Sequence, residues 1–224
     1  MNTLSDNPSR LLADGLAALG LADPSLGQRL DTYLDLIERW NRAYNLTAVR
    51  DRGEMIVRHL LDSLVVSPFV GSGPLADIGS GAGLPGIPLA LADPDLAVML
   101  IESNGKKARF LREAVRRLDL GNVRVIEARA EAVPEPGCCD CLTARAFGTL
   151  AELIRVGGHL LGPGGRVLAL KGQRPDEEIA GLPRGWRLDR IAALSVPGLS
   201  AQRHLVIVVR DPDTPSTVAV QEQP

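Results

Sequence analysis

The chain has 224 residues, 45% of them hydrophobic, and a formal net charge of −2. This is the profile of a soluble globular chain with room for one α/β domain and a modest extension, and it excludes a protein that is basic throughout. The sequence opens without a basic region and apolar stretch, and no run approaches the roughly 18 apolar residues of a membrane span, so a cytoplasmic location is expected.

Residues 1–66 read as a helical N-terminal extension. Asp23-Pro24 fits an N-cap with proline in the first turn. Leu30, Tyr33, Leu34, Ile37, Trp40 and Tyr44 then recur at three- and four-residue steps, the stripe of an amphipathic helix. A polar turn at Asn45-Leu46-Thr47 separates it from a second helix over Gly53–Leu64. From Gly71 short apolar runs alternate with helical segments, the pattern of βαβ units. Strands are expected at 75–78, 97–102, 123–127, 139–143 and 166–171. Helices are expected at 85–91, 106–118, 150–161 and 176–180. A final pair of strands, 186–194 and 203–210, has no helix between them and predicts an antiparallel finish at one edge. Residues 67–210 thus read as a Rossmann-like α/β domain with a mostly parallel seven-stranded sheet, and 211–224 as a disordered tail.

Cys138, Cys139 and Cys141 are odd in number and clustered, which is no disulfide framework. No further ligands lie near them, so they are expected to be strand thiols and no metal site is expected. His59, His159 and His204 are expected to be structural.

The string Asp77-Ile78-Gly79-Ser80-Gly81-Ala82-Gly83-Leu84-Pro85-Gly86 ends the first strand and opens a helix. Alternate glycines let the backbone turn sharply and pass close to a ligand. A ligand carboxylate or phosphate could there meet the N–H groups of the helix start. Gly81–Gly86 also satisfies the dinucleotide fingerprint, and Glu102 could bind the ribose hydroxyls of NAD or of adenosylmethionine equally well. Asp77, two residues before the first glycine, separates the two ligands. An acid followed by Gly-x-Gly-x-Gly looks like the first motif of class I methyltransferases, which makes S-adenosylmethionine the expected cofactor.

Between Asn104 and Ala130 eight basic residues (Lys106, Lys107, Arg109, Arg112, Arg116, Arg117, Arg124, Arg129) face three acidic ones (Glu113, Asp119, Glu127). That excess suits a polyanion, and a solvated helix face accounts for it equally well. Lys106, Arg109, Arg112, Arg116 and Arg129 are the candidate RNA contacts.

Asn45–Ala48, His59–Leu64, Asp77–Pro88, Glu102-Ser103, Arg129–Glu131, Arg145–Phe147 and Leu170–Gly172 occur in order. Together they resemble the bacterial RsmG family, also called glucose-inhibited division protein B, over about Leu30 to Val209. The resemblance implies methylation of a guanine N7 in 16S ribosomal RNA, with the small subunit or its RNA as partner. It implies donor contacts at Gly79, Leu84, Ala130, Glu131 and Arg145, to which the motif adds Asp77, Gly81, Gly83 and Glu102. Glu102 stands where other members can carry Asp, and Ala144 where Ser is common. N7 has a lone pair and no proton, so no general base is needed. Arg145 and Lys171, at the ends of neighbouring strands, are the candidate catalytic cations for base or phosphate. The competing readings are a methyltransferase of a small molecule or protein, an NAD-dependent dehydrogenase, and a module that senses the donor without catalysis.

Overall fold

The computed structural model describes residues 7–211. Helices α1 (Pro8–Ala18) and α2 (Pro24–Tyr44) each begin on a side-chain cap with proline at the first position. Asn7 Oδ1 accepts from Ser9 N at 3.0 Å and Asp23 Oδ1 from Ser25 N at 2.8 Å. The buried side of α2 is Leu26, Leu30, Tyr33, Leu34, Ile37 and Asn41, and the helix ends at Asn45 in the left-handed conformation. The helix expected over Gly53–Leu64 is not uniform. Here α3 (Arg52–Met55) runs into a π-helical segment, Ile56–Leu61, and then α4 (Asp62–Leu64). Apolar residues four apart mark one face of either helix type, so spacing alone does not separate them. A short helix, α5 (Ser67–Val70), leads into the sheet.

The remaining elements are β1 (Leu75–Ile78), α6 (Gly86–Ala92), β2 (Val98–Ile101), α7 (Gly105–Arg117), β3 (Val123–Ile126), β4 (Cys139–Ala144), α8 (Leu150–Gly157), β5 (Leu161–Lys171), α9 (Asp176–Ala180), β6 (Trp186–Ala193) and β7 (His204–Arg210). They form one seven-stranded sheet in the order β3-β2-β1-β4-β5-β7-β6. The first five strands are parallel, and β7 runs antiparallel to both β5 and β6. The antiparallel pairing expected at one edge is there, with β6 outermost. Two boundaries differ from expectation. Helix α8 stops at Gly157, and β5 starts at Leu161 rather than Arg166. Cys139 pairs with Leu161 and Cys141 with Arg166, so Gly162–Gly165 bulge out of the ladder. The Gly-Pro-Gly-Gly composition of that bulge reads as a turn in the sequence.

Strand residues alternate between two cores, because successive side chains leave opposite faces. In β7, Leu205 and Ile207 join the core that holds α1, α2, α6 and α7, while Val206 and Val208 join the one under α8. Residues on both sides of the expected boundary at 66/67 therefore share one continuous core. Cys139 and Cys141 are buried and Cys138 half-buried. Among the described residues no cluster of potential ligands could hold a metal, and no helix is long and apolar enough to cross a membrane. The expected disordered tail lies, beyond Asp211, outside the described residues.

Candidate active site

The strand order reverses between β1 and β4, where one crossover leads toward β2 and the other toward β5. Loops leaving the carboxyl ends of strands diverge at such a point and open a crevice. A cleft of about 350 Å³ lies there, walled by Ile78, Ile101, Phe147 and Val156, with Gly79, Ser103, Arg129, Glu131 and Arg155 at its polar parts. Its size and mixed lining suit a small organic ligand.

Three loop glycines have left-handed φ values of 66° (Gly79), 60° (Gly81) and 86° (Gly83), yet they serve different ends. A Cβ on Gly81 would find only a backbone oxygen at 3.7 Å, and one on Gly79 would meet Phe147 at 3.4 Å. These two leave room in front of the backbone. A Cβ on Gly83 would strike Ile87 at 2.4 Å, so Gly83 is required by packing against α6. Leu84 is 8% exposed and its side chain packs into the core rather than into the cleft.

Asp77 is fully buried, and its Oδ2 accepts from Gly86 N at 3.1 Å. The start of α6, expected to receive an anionic ligand, is thus served by the protein's own carboxylate. Its Oδ1 has no partner. Burial pushes the Asp77 carboxyl up to about 7, against the opposing pull of the Gly86 N–H and the Arg145 guanidinium. Glu102 is buried at the end of β2 and braces the loop, accepting from Gly81 N at 2.9 Å and Asn104 N at 2.8 Å. Each of its oxygens keeps a further lone pair for a hydroxyl. From the far side the Tyr33 hydroxyl of α2 donates to the Ala82 carbonyl, so the helical lead-in also holds the loop.

After β4 the chain turns through Ala146, whose φ of 50° is rare for a residue with a Cβ. This throws Phe147 against Gly79 and Arg145 toward the π-helical segment. The Arg145 Nη1 lies 3.2 Å from Ser63 Oγ and 3.5 Å from both the His59 carbonyl and Asp62 Oδ2. Asp62 also receives Arg203 Nε at 2.8 Å. His59 Nε2 sits 2.8 Å from Thr47 Oγ1, and burial, with Arg145 nearby, lowers its imidazole to about 4. His159 Nε2 lies 3.1 Å from the Val133 carbonyl.

The cleft brings together Gly79, Ala130, Glu131 and Arg129 from the expected set. Lys171 is not aimed there. Its Nζ bonds Glu178 at 2.8 Å and the Gly148 carbonyl at 3.0 Å, an ion pair on the sheet's rim. Arg112 is paired with Glu127 at 2.8 Å and Arg116 with Glu113 at 2.9 Å, whereas Lys106 and Arg109 are exposed with no ion pair among the described residues. Sequence reasoning did not single out Arg155 or Arg203; it met Tyr33 only in a helical stripe, and Asp62 and Phe147 only inside longer strings, without a role for any of them. Glu152 at the cleft, also not singled out, left a local signal in the Thr149-x-x-Glu152 capping box that opens α8.

A family model described as "GidB: rRNA small subunit methyltransferase G" matches residues 27–206. The chain belongs to this methyltransferase family. Ribosomal RNA small subunit methyltransferase G of Xanthomonas campestris pv. campestris (strain 8004) is 60% identical over 208 residues, 93% of this chain and 98% of that one. Its counterpart in Stenotrophomonas maltophilia (strain K279a) is 62% identical over 197 residues, 88% and 92% of the two chains. Among solved structures, a SAM-dependent methyltransferase from Aquifex aeolicus superposes with a TM-score of 0.56 at 17% identity, covering 74% of this chain and 97% of that one. M. jannaschii TYW2, solved with AdoMet, gives a TM-score of 0.52 at 17% identity over 67% of this chain and 75% of that one. These two likenesses show the class I methyltransferase fold. Within the methyltransferase G family match lie the glycine loop, the cleft and the Asp62 cluster alike.

Proposed function

We propose that the cleft binds S-adenosylmethionine and that the chain methylates N7 of one guanine in small-subunit ribosomal RNA. The observation that carries this reading is the cleft at the β1/β4 reversal with Gly79 at its floor, in a chain of the methyltransferase G family. The donor supplies an electrophilic methyl group. Gly79 and Gly81 let the backbone approach it, Glu102 has lone pairs left for its ribose hydroxyls, and Ala130 and Glu131 border it. Asp77 acts beneath the ligand, by fixing the loop to α6. N7 of guanine has no proton to lose, and the residues lining the cleft include no histidine or cysteine. What the protein must contribute is alignment, with the reacting atoms held roughly 3–3.5 Å apart. Arg145, which follows β4, is the cation assigned to this task, while Arg129 and Arg155 line the cleft itself. Lys106, Arg109 and Arg129 are the exposed cations that can meet RNA phosphates.

The test uses purified protein, labelled donor and small ribosomal subunits from a strain lacking this protein. N7-methylguanine becomes labile to aniline after borohydride reduction, so one new cleavage should mark the methylated guanine. Label in no guanine, or at a different ring position, would overturn the assignment.

A further inference from the structure

We infer that Cys138 and Cys139 form a second reactive site, a vicinal dithiol that closes to a disulfide by exchange with a small-molecule disulfide of the glutathione type. Their Sγ atoms lie 3.4 Å apart, and both are free thiols. In an extended strand consecutive side chains leave opposite faces, which keeps their tips apart. Here the Pro136-Gly137 turn, with Gly137 at a φ of 71°, ends immediately before Cys138, and the β4 register shifts between Cys139 and Cys141. Cys138 and Cys139 therefore pack on one side, against the core under α8. Cys141 joins the opposite core and takes no part.

The pair borders a cleft of about 380 Å³, lined also by Met99, Arg124 and Glu135, at the end of the sheet where β1 to β4 begin. The donor cleft lies at the other end of those strands. Cys138 is half-buried and Cys139 buried, so Cys138 is the thiol that meets an incoming disulfide. Burial and the adjacent Cys138 push the Cys139 thiol up, and the Arg124 guanidinium pulls it down. A partly exposed thiol beside a cation is the setting of a reactive cysteine, and packing alone does not require two sulfurs in contact at a surface cleft. The Cys138 thiolate attacks one sulfur of the small disulfide and expels the other. Cys139 then loses its proton, attacks the Cys138 sulfur and expels the second small thiol. Two protein thiols and one small disulfide thus give one protein disulfide and two small thiols, which carry the two protons away. Consecutive Cα atoms stand only about 3.8 Å apart, short of the usual disulfide range of about 4.4–6.8 Å. The ring is therefore strained, and the dithiol is its resting form in a reducing medium.

This inference is independent of the ribosomal RNA reading, and its test uses the intact protein with glutathione disulfide. Intact-mass measurement should show the wild type two hydrogens lighter, with no glutathione attached. Cys139→Ser and Cys139→Ala keep the entry thiol and lack the resolving one, so both should stop at a single glutathione adduct. Cys138→Ser should stay unmodified, and Cys141→Ser should behave as the wild type. Phenylarsine oxide bridges two neighbouring thiols with loss of water. The reduced wild type and Cys141→Ser should therefore bind one equivalent, and the Cys138 and Cys139 variants should lose that binding. Circular dichroism selects the variants that keep the fold, and the wild-type arms decide without them. A wild type that keeps the glutathione adduct, stays unmodified or fails to bind the arsenical would overturn the dithiol site. Loss of two hydrogens in Cys138→Ser would overturn it as well, by showing that a different pair closes.

Discussion

Gly79 and Gly83 share a left-handed backbone and differ in what lies in front of it. Alanine at either site bears the same conformational strain, so the difference between the two variants isolates packing. Gly83→Ala should melt below Gly79→Ala by an amount equivalent to about 1–3 kcal/mol, as Ile87 is displaced. Gly79→Val should instead abolish donor binding in calorimetry while circular dichroism shows the sheet retained. Asp77 and His59 make a second pair, through proton linkage. The Asp77 carboxyl is raised in the fold to about 7, so stability from this group falls as pH rises from about 4 to 7. The His59 imidazole is lowered to about 4, so stability from this group is present above pH 6.5 and is lost as pH falls toward 4. The slopes oppose each other between pH 4 and 6.5. Melting temperatures should therefore rise with pH in that window for Asp77→Asn and fall with pH for His59→Gln. Parallel profiles for both variants would show that neither group titrates as its surroundings imply. The glycine loop was legible as a candidate because its spacing is local, and Glu102 because it ends the next strand, 21 residues beyond Gly81. The role of Asp77 was only half legible, since its partner Gly86 follows in the same string but its burial is tertiary.

Helix α7 carries the basic excess, and the fold sorts it. Arg112, Arg116 and Arg117 are ion-paired with Glu127 and Glu113, all at 2.8–2.9 Å, in the second half of the helix, with Glu113 shared between Arg116 and Arg117. Lys106 and Arg109 lie at its beginning, which leaves β2 on the cleft side of the sheet. Lys106→Glu plus Arg109→Glu should therefore weaken RNA binding more than Arg112→Glu plus Arg116→Glu, and only the first pair should reduce the salt slope by about 0.7–0.9 per lost contact. Equal effects in filter binding would mean that the surface pairs open on contact with RNA, as exposed pairs of small net worth can. Amphipathic α2 and the βαβ alternation were readable because one period governs many residues. The π-helical segment was not, since Ile56, Leu60 and Leu64 satisfy the spacing of an ordinary helix.

At the scale of the molecule the helical lead-in and the sheet are one body. Leu30, Leu34, Ile56 and Leu60 lie in the same core as Leu75, Leu100 and Leu205. A chain beginning at residue 67 would expose that face of the sheet to water, at roughly 25 cal/mol per Å². It should be insoluble or molten on expression, and the intact protein should unfold in a single calorimetric transition. Two separate transitions would show independent units instead. The fold class was legible because the strand–helix rhythm is written along the chain. The Asp62 cluster was not, because nothing local links residues so far apart.

The position of β7 has a consequence for synthesis. It follows β6 in the chain but lies between β6 and β5, so β6 has no neighbour in the sheet until β7 arrives. Arg203 immediately precedes that strand. A nascent chain emerges amino end first, and its early segments can organise before its late ones. A product halted before residue 203 would already possess the glycine loop, but it would lack Arg203, and the free edge of β5 would remain open to other chains. Quality control of this protein thus has a natural checkpoint. Prematurely terminated copies lack both the strand that joins β5 to β6 and the Arg203 partner of Asp62.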